Sequence, residues 1–180
     1  MDTALNTDRS TAPVDCTELR WYAAYTRAQH EKRVAQQLAE RAIEQYLPLY
    51  QAVHRWKDRR KRVDVPLFPG YVFVRIELQN RLEVLRVPSV VRLIGFNGTP
   101  TALPEGEIEH LRCALAGGLR AVPHPYLHAG SRVRVTAGPL EGMEGAIVRR
   151  KNRTRFILSF DMIMRSVAVE VDEIDLAAAD

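Results

Sequence analysis

The chain has 180 residues, 46% of them hydrophobic and 27% charged, which is the composition of an ordinary soluble protein with one domain or two small ones. No apolar stretch approaches the roughly 20 residues that span a bilayer, and the polar N-terminus lacks the layout of a secretory signal, so we expect a cytoplasmic protein. The two cysteines, Cys16 and Cys113, are far apart, which argues against a disulfide framework and against a structural zinc site.

Positive charge is concentrated in the middle of the chain. Residues 1–18 carry a net charge of −3, residues 19–128 carry +7, and residues 129–180 are balanced. The densest basic run, "HRWKDRRKR" over residues 54–62, is explained either as a solvated hairpin loop or as a surface that attracts nucleic-acid phosphate. The residues assigned to this nucleic-acid surface are Arg55, Trp56, Lys57, Arg59, Arg60, Lys61 and Arg62.

The first part of the chain predicts a disordered leader, a strand and a helix. Residues 1–18 show no periodicity. "LRWYAAYT", over residues 19–26, is rich in residues that favour strands. "TRAQ", which starts at Thr26, has the form of a capping box. The helix should extend to about Ala42, with apolar residues at helical spacing on one face and Glu31 on the polar face.

The following segments complete the pattern of a ferredoxin-like domain. Residues 44–56 predict a strand, a charged loop follows, and "VDVPLFPGYVFVRI" over residues 63–76 predicts a third strand that begins near Pro66. After it come a short helix with Leu82 and Leu85, a strand over residues 90–96, and a helix over residues 104–118 that ends at a glycine. The order β-α-β-β-α-β-α is close to a split βαβ layout.

The composition changes after residue 116. Residues 117–129 contain glycine, proline and histidine without a period, and we interpret them as an interdomain linker. Residues 130–177 alternate valine with arginine and contain turn glycines, which predicts a small all-β barrel. The fold class is therefore α+β, with a leader over residues 1–18, an α/β domain over residues 19–116, the linker, and the barrel.

The strand in "VDVPLFPGYVFVRI" lacks the alternation of a half-buried strand. Without a bulge, Phe68 and Val72 would lie on one side, and Tyr71 and Phe73 on the other. A strand buried on both faces is one explanation. The other is an exposed aromatic patch that binds a partner, because a small domain has little material with which to cover a second sheet face.

The sequence contains no persuasive catalytic or metal-binding constellation. The five histidines, His30, His54, His110, His124 and His128, have no ligand spacing. The glycines of "AGPLEGMEG" are not followed by the Lys-Ser/Thr of a phosphate-binding loop, and turns of a barrel explain them better. We therefore expect no enzymatic activity, no cofactor and no metal.

Several of these segments match one family in order. "RWYAAYT", "EKRVAQQL", "PLFPGYVFV" and "GSRVRVTAGPLEGMEGAIV" together resemble the NusG family of transcription elongation factors over about residues 19–176. The resemblance implies an N-terminal NGN domain of ferredoxin-like type and a C-terminal KOW domain folded as an SH3-like barrel. The continuous "RWKDRRKRVDVPLFPGYVFV" and "RSVAVEV" look like the specialised branch that includes RfaH and the polysaccharide-operon antiterminators.

The resemblance also implies which residues bind partners. In the family, an apolar patch grips the clamp helices of the largest RNA polymerase subunits, and the matching positions here are Trp21, Tyr22, Phe68 and Tyr71, with Phe73 as a neighbour. The segment that faces the gate loop has Asn80, Arg81 and Leu82 where RfaH has His-Thr-Thr, which argues against a bridge of the RfaH type. Ile163 and Arg165 match the KOW surface that meets a ribosomal protein or a termination factor.

The predicted function is that of a monomeric, non-catalytic transcription elongation and antitermination factor. The NGN domain would bind polymerase, the basic loop would contact the non-template DNA strand, and the KOW domain would recruit a second partner. The alternative is a ribosome-associated RNA-binding protein, since KOW barrels also occur in ribosomal proteins. In RfaH the C-terminal domain can refold as a helical hairpin, but the β-branched "SVAVEV" favours a barrel here.

Overall fold

The computed structural model describes residues 17–56, 59–104, 106–124, 132–150, 153–170 and 176–178. Residues 1–16 of the predicted leader, Lys57, and residues 125–129 of the predicted linker lie outside these ranges. In the ranges described, no helix is long and apolar enough to cross a membrane.

The N-terminal part of the chain combines strands with three α-helices. In chain order its elements are β1 (Arg20–Thr26), α1 (Glu31–Glu40), β2 (Glu44–Tyr46), β3 (Leu49–Trp56), β4 (Arg59–Pro66), β5 (Tyr71–Ile76), α2 (Arg81–Leu85), β6 (Val90–Leu93), β7 (Gly95–Phe96), β8 (Thr99–Pro100) and α3 (Glu107–Ala116). The C-terminal part is built from β9 (Ala121–His124), β10 (Arg132–Val135), β11 (Glu144–Arg150), β12 (Arg153–Phe160), β13 (Arg165–Glu170) and β14 (Leu176–Ala178).

The N-terminal domain has a four-stranded antiparallel sheet in the order β2-β5-β1-β6. This order is that of a ferredoxin-like fold once the β3–β4 hairpin is treated as an insertion. Helix α1 covers one face, because Val34 and Leu38 lie four residues apart on the same side of the helix. Both are fully buried in one cluster with Tyr22 and Val72 of the sheet. The predicted domain type is confirmed.

Helix α1 begins later than the sequence predicts. Thr26 is still the last residue of β1, where it pairs with Val90 of β6, and its backbone N–H donates to the carbonyl of Gly70 at 2.8 Å. Gln29 follows with φ of 63°, so the chain turns before it enters the helix at Glu31. The predicted capping box is wrong because the sheet holds the residue that would have formed it.

The basic run lies in a long hairpin and not in a loop. Strands β3 and β4 pair from Leu49 opposite Pro66 to Trp56 opposite Arg59. Pro66 is therefore the last residue of β4. The prediction that it begins the aromatic strand is wrong. Lys32 Nζ of α1 donates to the carbonyl of Asp64 at 2.7 Å and ties the hairpin to the helix.

The C-terminal domain is a six-stranded antiparallel sheet in the order β14-β10-β11-β12-β13-β9. Phe156, Ile157 and Val167 have no exposed surface and contribute to its packing. The α+β class with a β-rich C-terminal domain is confirmed, and besides its turns and a single 3-10 turn over Asp161–Ile163 the described part of this domain consists of strands. Four residues of the predicted linker form β9.

Helix α3 ends in a Schellman motif that leads almost directly into β9. The N–H of Leu119 donates to the carbonyl of Ala114 at 3.0 Å, and the N–H of Gly118 donates to that of Leu115 at 3.1 Å. Gly118 has φ of +88°, a value that glycine adopts without a Cβ penalty. Arg120 is then the single residue between this cap and the strand.

Alanine substitutions at two adjacent glycines test the cap. We expect Gly118→Ala to lower the free energy of unfolding by about 1 kcal/mol, because alanine is strained at a left-handed φ although no atom obstructs its Cβ. Gly117→Ala is the control for the left-handed conformation, since Gly117 has φ of −73°; its Cβ would lie 3.3 Å from the Cys113 carbonyl oxygen, which must shift by a few tenths of an ångström. Chemical denaturation measures both variants, and equal stability of the two would contradict the assigned cap.

Candidate functional site

The second face of the N-terminal sheet carries the predicted aromatic residues, and the C-terminal domain covers it. Phe68 and Phe73 are 1% and 0% exposed. Phe160 of β12 packs edge-on against Phe68 with ring centroids 4.9 Å apart, and its ring lies 6.3 Å from that of Phe73. The prediction of an exposed patch is therefore wrong for this structure, because a second domain of the same chain supplies the cover. We call Phe68, Tyr71 and Phe73 the aromatic patch.

A turn between β4 and β5 determines where Phe68 lies. The N–H of Gly70 donates to Oε1 of Glu31 at 2.7 Å, and Gly70 has φ of +86°. Glu31 is 5% exposed, although its helix position predicted a solvated side chain. Because this turn interrupts the strand, Phe68 belongs to the same cluster as Phe73 and not to that of Val72, contrary to simple alternation.

The two aromatic residues of β1 lie on opposite faces, as neighbours in a strand must. Trp21 is on the face of the aromatic patch, where its Nε1 donates to Oε1 of Glu109 in α3 at 3.1 Å. Tyr22 is 1% exposed and belongs to the cluster under α1. The structure therefore separates Tyr22 from the other predicted polymerase-binding residues, and a partner on the aromatic patch does not reach it.

At the rim of the patch, the residues predicted for two different partners contact each other. The guanidinium of Arg165 lies 5.9 Å from the ring centroid of Tyr71. Ile163, the other predicted KOW residue, is 4% exposed and belongs to the same cluster as Phe68. The surface of the C-terminal domain that should meet a second partner is thus packed on the aromatic patch.

The surface beside the aromatic patch stays open next to this contact. Tyr25 is 38% exposed, its ring lies 5.5 Å from that of Tyr71, and the guanidinium of Arg92 lies 5.8 Å from the Tyr25 ring. A cleft of about 570 Å³ opens between the domains, lined among others by Tyr71, Arg92, Ile94, Met162, Met164 and Arg165. Sequence reasoning missed Tyr25 and Phe160. Tyr25 could have been found, because it is the second tyrosine of "RWYAAYT". Nothing in the sequence distinguished Phe160 from a residue of the barrel interior.

One carboxyl group is partly buried where α3 approaches the C-terminal domain. Burial, and to a smaller extent the nearby Asp161 carboxylate, together raise the pKa of Glu107 from 4.5 to about 7. Glu107 opens α3 in the N-terminal domain, whereas Asp161 follows β12 in the C-terminal one. Two like charges thus face each other across the interface, so ionisation of Glu107 opposes docking.

The remaining predicted residues lie on other surfaces. Asn80, Arg81 and Leu82 are all exposed at the start of α2, and Nδ2 of Asn80 donates to Oε2 of Glu77 at 3.3 Å. Arg62 and Lys61 are exposed on β4, and the backbone of Arg55, Trp56, Arg59 and Arg60 belongs to the same hairpin. Within the described ranges, no group of three His, Cys, Asp or Glu side chains is placed to hold a metal ion.

Comparison with known proteins assigns the chain to a family. The family described as "NusG: Transcription termination factor nusG" matches residues 19–112. Proteins named transcription termination/antitermination protein NusG are similar over most of the chain. The one from Lactococcus lactis is 28% identical over 84% of this chain and 89% of its own length, and the one from Deinococcus radiodurans is 32% identical over 72% and 82%.

A solved structure that concerns domain interaction in Thermotoga maritima NusG has a similar fold. It covers 92% of this chain and 99% of its own, with a TM-score of 0.57 and 18% sequence identity. The matched family covers the α/β domain that carries the aromatic patch, and the fold similarity extends over both domains. The chain belongs to the NusG family and is a transcription termination/antitermination factor of the NusG type.

Proposed function

We propose that this protein binds the clamp helices of RNA polymerase through the aromatic patch, and that the docked arrangement is its resting form. The observation that carries the proposal is the packing of Phe160 on Phe68 and Phe73, which are fully buried in one cluster. Burial of this aromatic surface stabilises the docked form when the C-terminal domain covers it, and it would stabilise a complex when a partner covers it. The C-terminal domain and a polymerase helix therefore compete for one surface.

The same contact occludes both partner sites. Ile163 is buried in the interdomain cluster, and the Arg165 guanidinium lies over Tyr71, so the residues proposed to meet a ribosomal protein or a termination factor are engaged with the other domain. Polymerase binds only the separated form and shifts the population toward it, as a ligand must when it prefers one state. Separation then presents the C-terminal domain to its own partner.

On polymerase, the bound domain would favour the closed, elongating state and depopulate paused states by the same linkage. The exposed segment of Asn80, Arg81 and Leu82 would face the gate loop, without the closed bridge of the RfaH type that its sequence argues against. The C-terminal domain, now tethered to the transcription complex, would recruit the second partner at a raised effective concentration.

The basic hairpin is proposed to contact the single-stranded part of the non-template DNA. Lys61 and Arg62 are exposed on β4, and the hairpin projects as its own two-stranded sheet. Contacts of this kind go mainly to phosphate and carry little base specificity. They therefore add to affinity for any transcribed sequence.

Two substitutions in one contact should change polymerase affinity in opposite directions. Arg165→Ala removes the cation–π interaction with Tyr71, worth about 0.5–1 kcal/mol at an exposed site, so polymerase should bind roughly two- to fivefold more tightly. Tyr71→Ala breaks the same contact but also deletes an aromatic anchor for polymerase, so binding should weaken about fivefold or more. Titration of purified core polymerase with labelled full-length protein measures both.

As a control, denaturation curves should show that both variants are folded under the conditions of the binding titration. Weaker polymerase binding by Arg165→Ala would contradict the proposed competition. Loss of wild-type binding after nuclease treatment would instead favour an RNA-binding protein.

The partly buried carboxyl predicts a pH dependence of docking. Because the pKa of Glu107 rises from 4.5 to about 7 by burial and by Asp161, docking carries no penalty below pH 4.5 and the full penalty above pH 7. Glu107→Gln removes the ionisation, so this variant should stay docked at high pH. We expect the affinities of the two proteins for polymerase to be most similar at the acid end, near pH 5, and the variant to bind progressively more weakly than wild type towards pH 8. Parallel affinity curves for the two proteins across this range would refute the assignment.

Salt dependence tests the hairpin. For single-stranded DNA, each lost phosphate contact lowers the slope of log affinity against log salt by about 0.7. We expect this change for Lys61→Ala, measured by fluorescence anisotropy. Arg20→Ala is the control, because it removes the same charge from a residue that is paired with Glu18. An identical slope for both variants would contradict a DNA contact by Lys61.

A further inference from the structure

The C-terminal sheet ends in a strand that belongs to the connection between the domains. Strand β9 pairs antiparallel with β13, with Val122 opposite Ala168 and Ala121 opposite Val169. Ala121 is 4% exposed and belongs to the interdomain cluster. The connection is therefore part of the C-terminal domain and occupies the main-chain edge of β13.

The other end of this connection is fixed to the N-terminal domain. Ile108 and Leu111 of α3 are fully buried, and the Schellman motif bonds Leu119 back to the helix. Only Arg120 lies between this cap and β9. One residue spans at most about 3.6 Å, so the domains cannot separate beyond a few ångströms while both attachments persist.

We propose, building on the function proposed above, that β9 is a latch that holds the two domains together, and that a partner polypeptide opens it by adding its own strand to β13. Release of β9 leaves twelve positions, 120–131, between the end of the α3 cap at Leu119 and the start of β10 at Arg132. Such a segment spans up to about 40 Å when extended. That length lets the C-terminal domain leave the aromatic patch and remain tethered.

Strand β9 has the features of a strand that can be replaced. It has four residues, and Pro123 has no N–H to donate to the sheet. Val122 is 38% exposed and Pro123 is also exposed, so β9 buries little side-chain surface of its own. Proline on an edge strand also discourages further strands from adding outside it.

An extended polypeptide is the partner that fits this edge. Strand β13 runs from Arg165 to Glu170, whereas β9 pairs only with Ser166–Val169. A partner strand without proline can pair along the whole of β13 and donate to it from every second residue, which is the mode of binding by strand addition. Because its binding releases β9, it should also favour binding of polymerase, and by reciprocity polymerase should favour the strand.

The test replaces Ala121–His124 by Gly-Ser-Gly-Ser, which keeps the length but weakens pairing. Domain separation is followed by energy transfer between dyes on the exposed Cys113 of α3 and on Glu141→Cys, in a Cys16→Ser background. These labels are close in the docked form, since Pro139 Cγ lies 3.9 Å from where a Cβ on Gly117 would be. The matched control replaces Leu176–Ala178, the opposite edge strand β14, by Gly-Ser-Gly.

We expect lower energy transfer in the β9 variant, wild-type transfer in the β14 control, and a polymerase dissociation constant roughly tenfold lower for the β9 variant. Wild-type transfer in a folded β9 variant would overturn the latch. If circular dichroism shows that this variant is unfolded, energy transfer in the milder variant Val122→Gly tests whether β9 holds the domains together. Changed transfer with no polymerase binding by any protein would refute the proposed function and leave the latch intact.

A synthetic peptide is the probe for strand addition. It carries residues 119–124 with Pro123→Val and is added to the unaltered, labelled protein. Competition with β9 should lower the energy transfer, while a scrambled peptide should not. No change at millimolar peptide would overturn strand addition as the opening mechanism.

Discussion

The structure depends on one constraint: the N-terminal sheet has two apolar faces, and its own α1 covers only one of them. The other carries Phe68 and Phe73, whose side chains are too large and apolar to face water together. Helix α3 covers part of this face, and Phe160 of the C-terminal domain covers the aromatic patch. Any partner that binds there must replace one apolar cover by another.

Because of such an exchange, small interaction energies determine the equilibrium between the docked form and a partner-bound form. The large hydrophobic contribution appears on both sides and mostly cancels, so groups at the rim decide the difference. The Arg165 guanidinium over Tyr71 favours docking, whereas Glu107 near Asp161 opposes it once ionised. Rim interactions of about 1 kcal/mol thus shift affinity several-fold without altering the fold.

The sequence predicted the elements with local signals and failed where distant contacts decide. Hydrophobic spacing indicated α1 and α3, and the order of strands indicated the sheet. The side on which Phe68 lies depends on the hydrogen bond between Gly70 and Glu31, which are far apart in sequence. Strand β9 also escaped prediction, because "AVPH" has weak strand propensity and forms only by pairing with β13.

The identity of the cover over the aromatic patch could not be predicted for a deeper reason. An apolar run without alternation indicates that both faces of the strand are buried. It does not indicate what buries the second face, because a domain of the same chain and a separate partner both require apolar and aromatic side chains there. In the proposed function, Phe68 and Phe73 must therefore fit two surfaces that differ in sequence. Both covers would constrain the chemistry of the patch in the same way, so in the proposed function only the connection, with Arg120 as the one residue between the α3 cap and β9, determines which cover is present before polymerase binds.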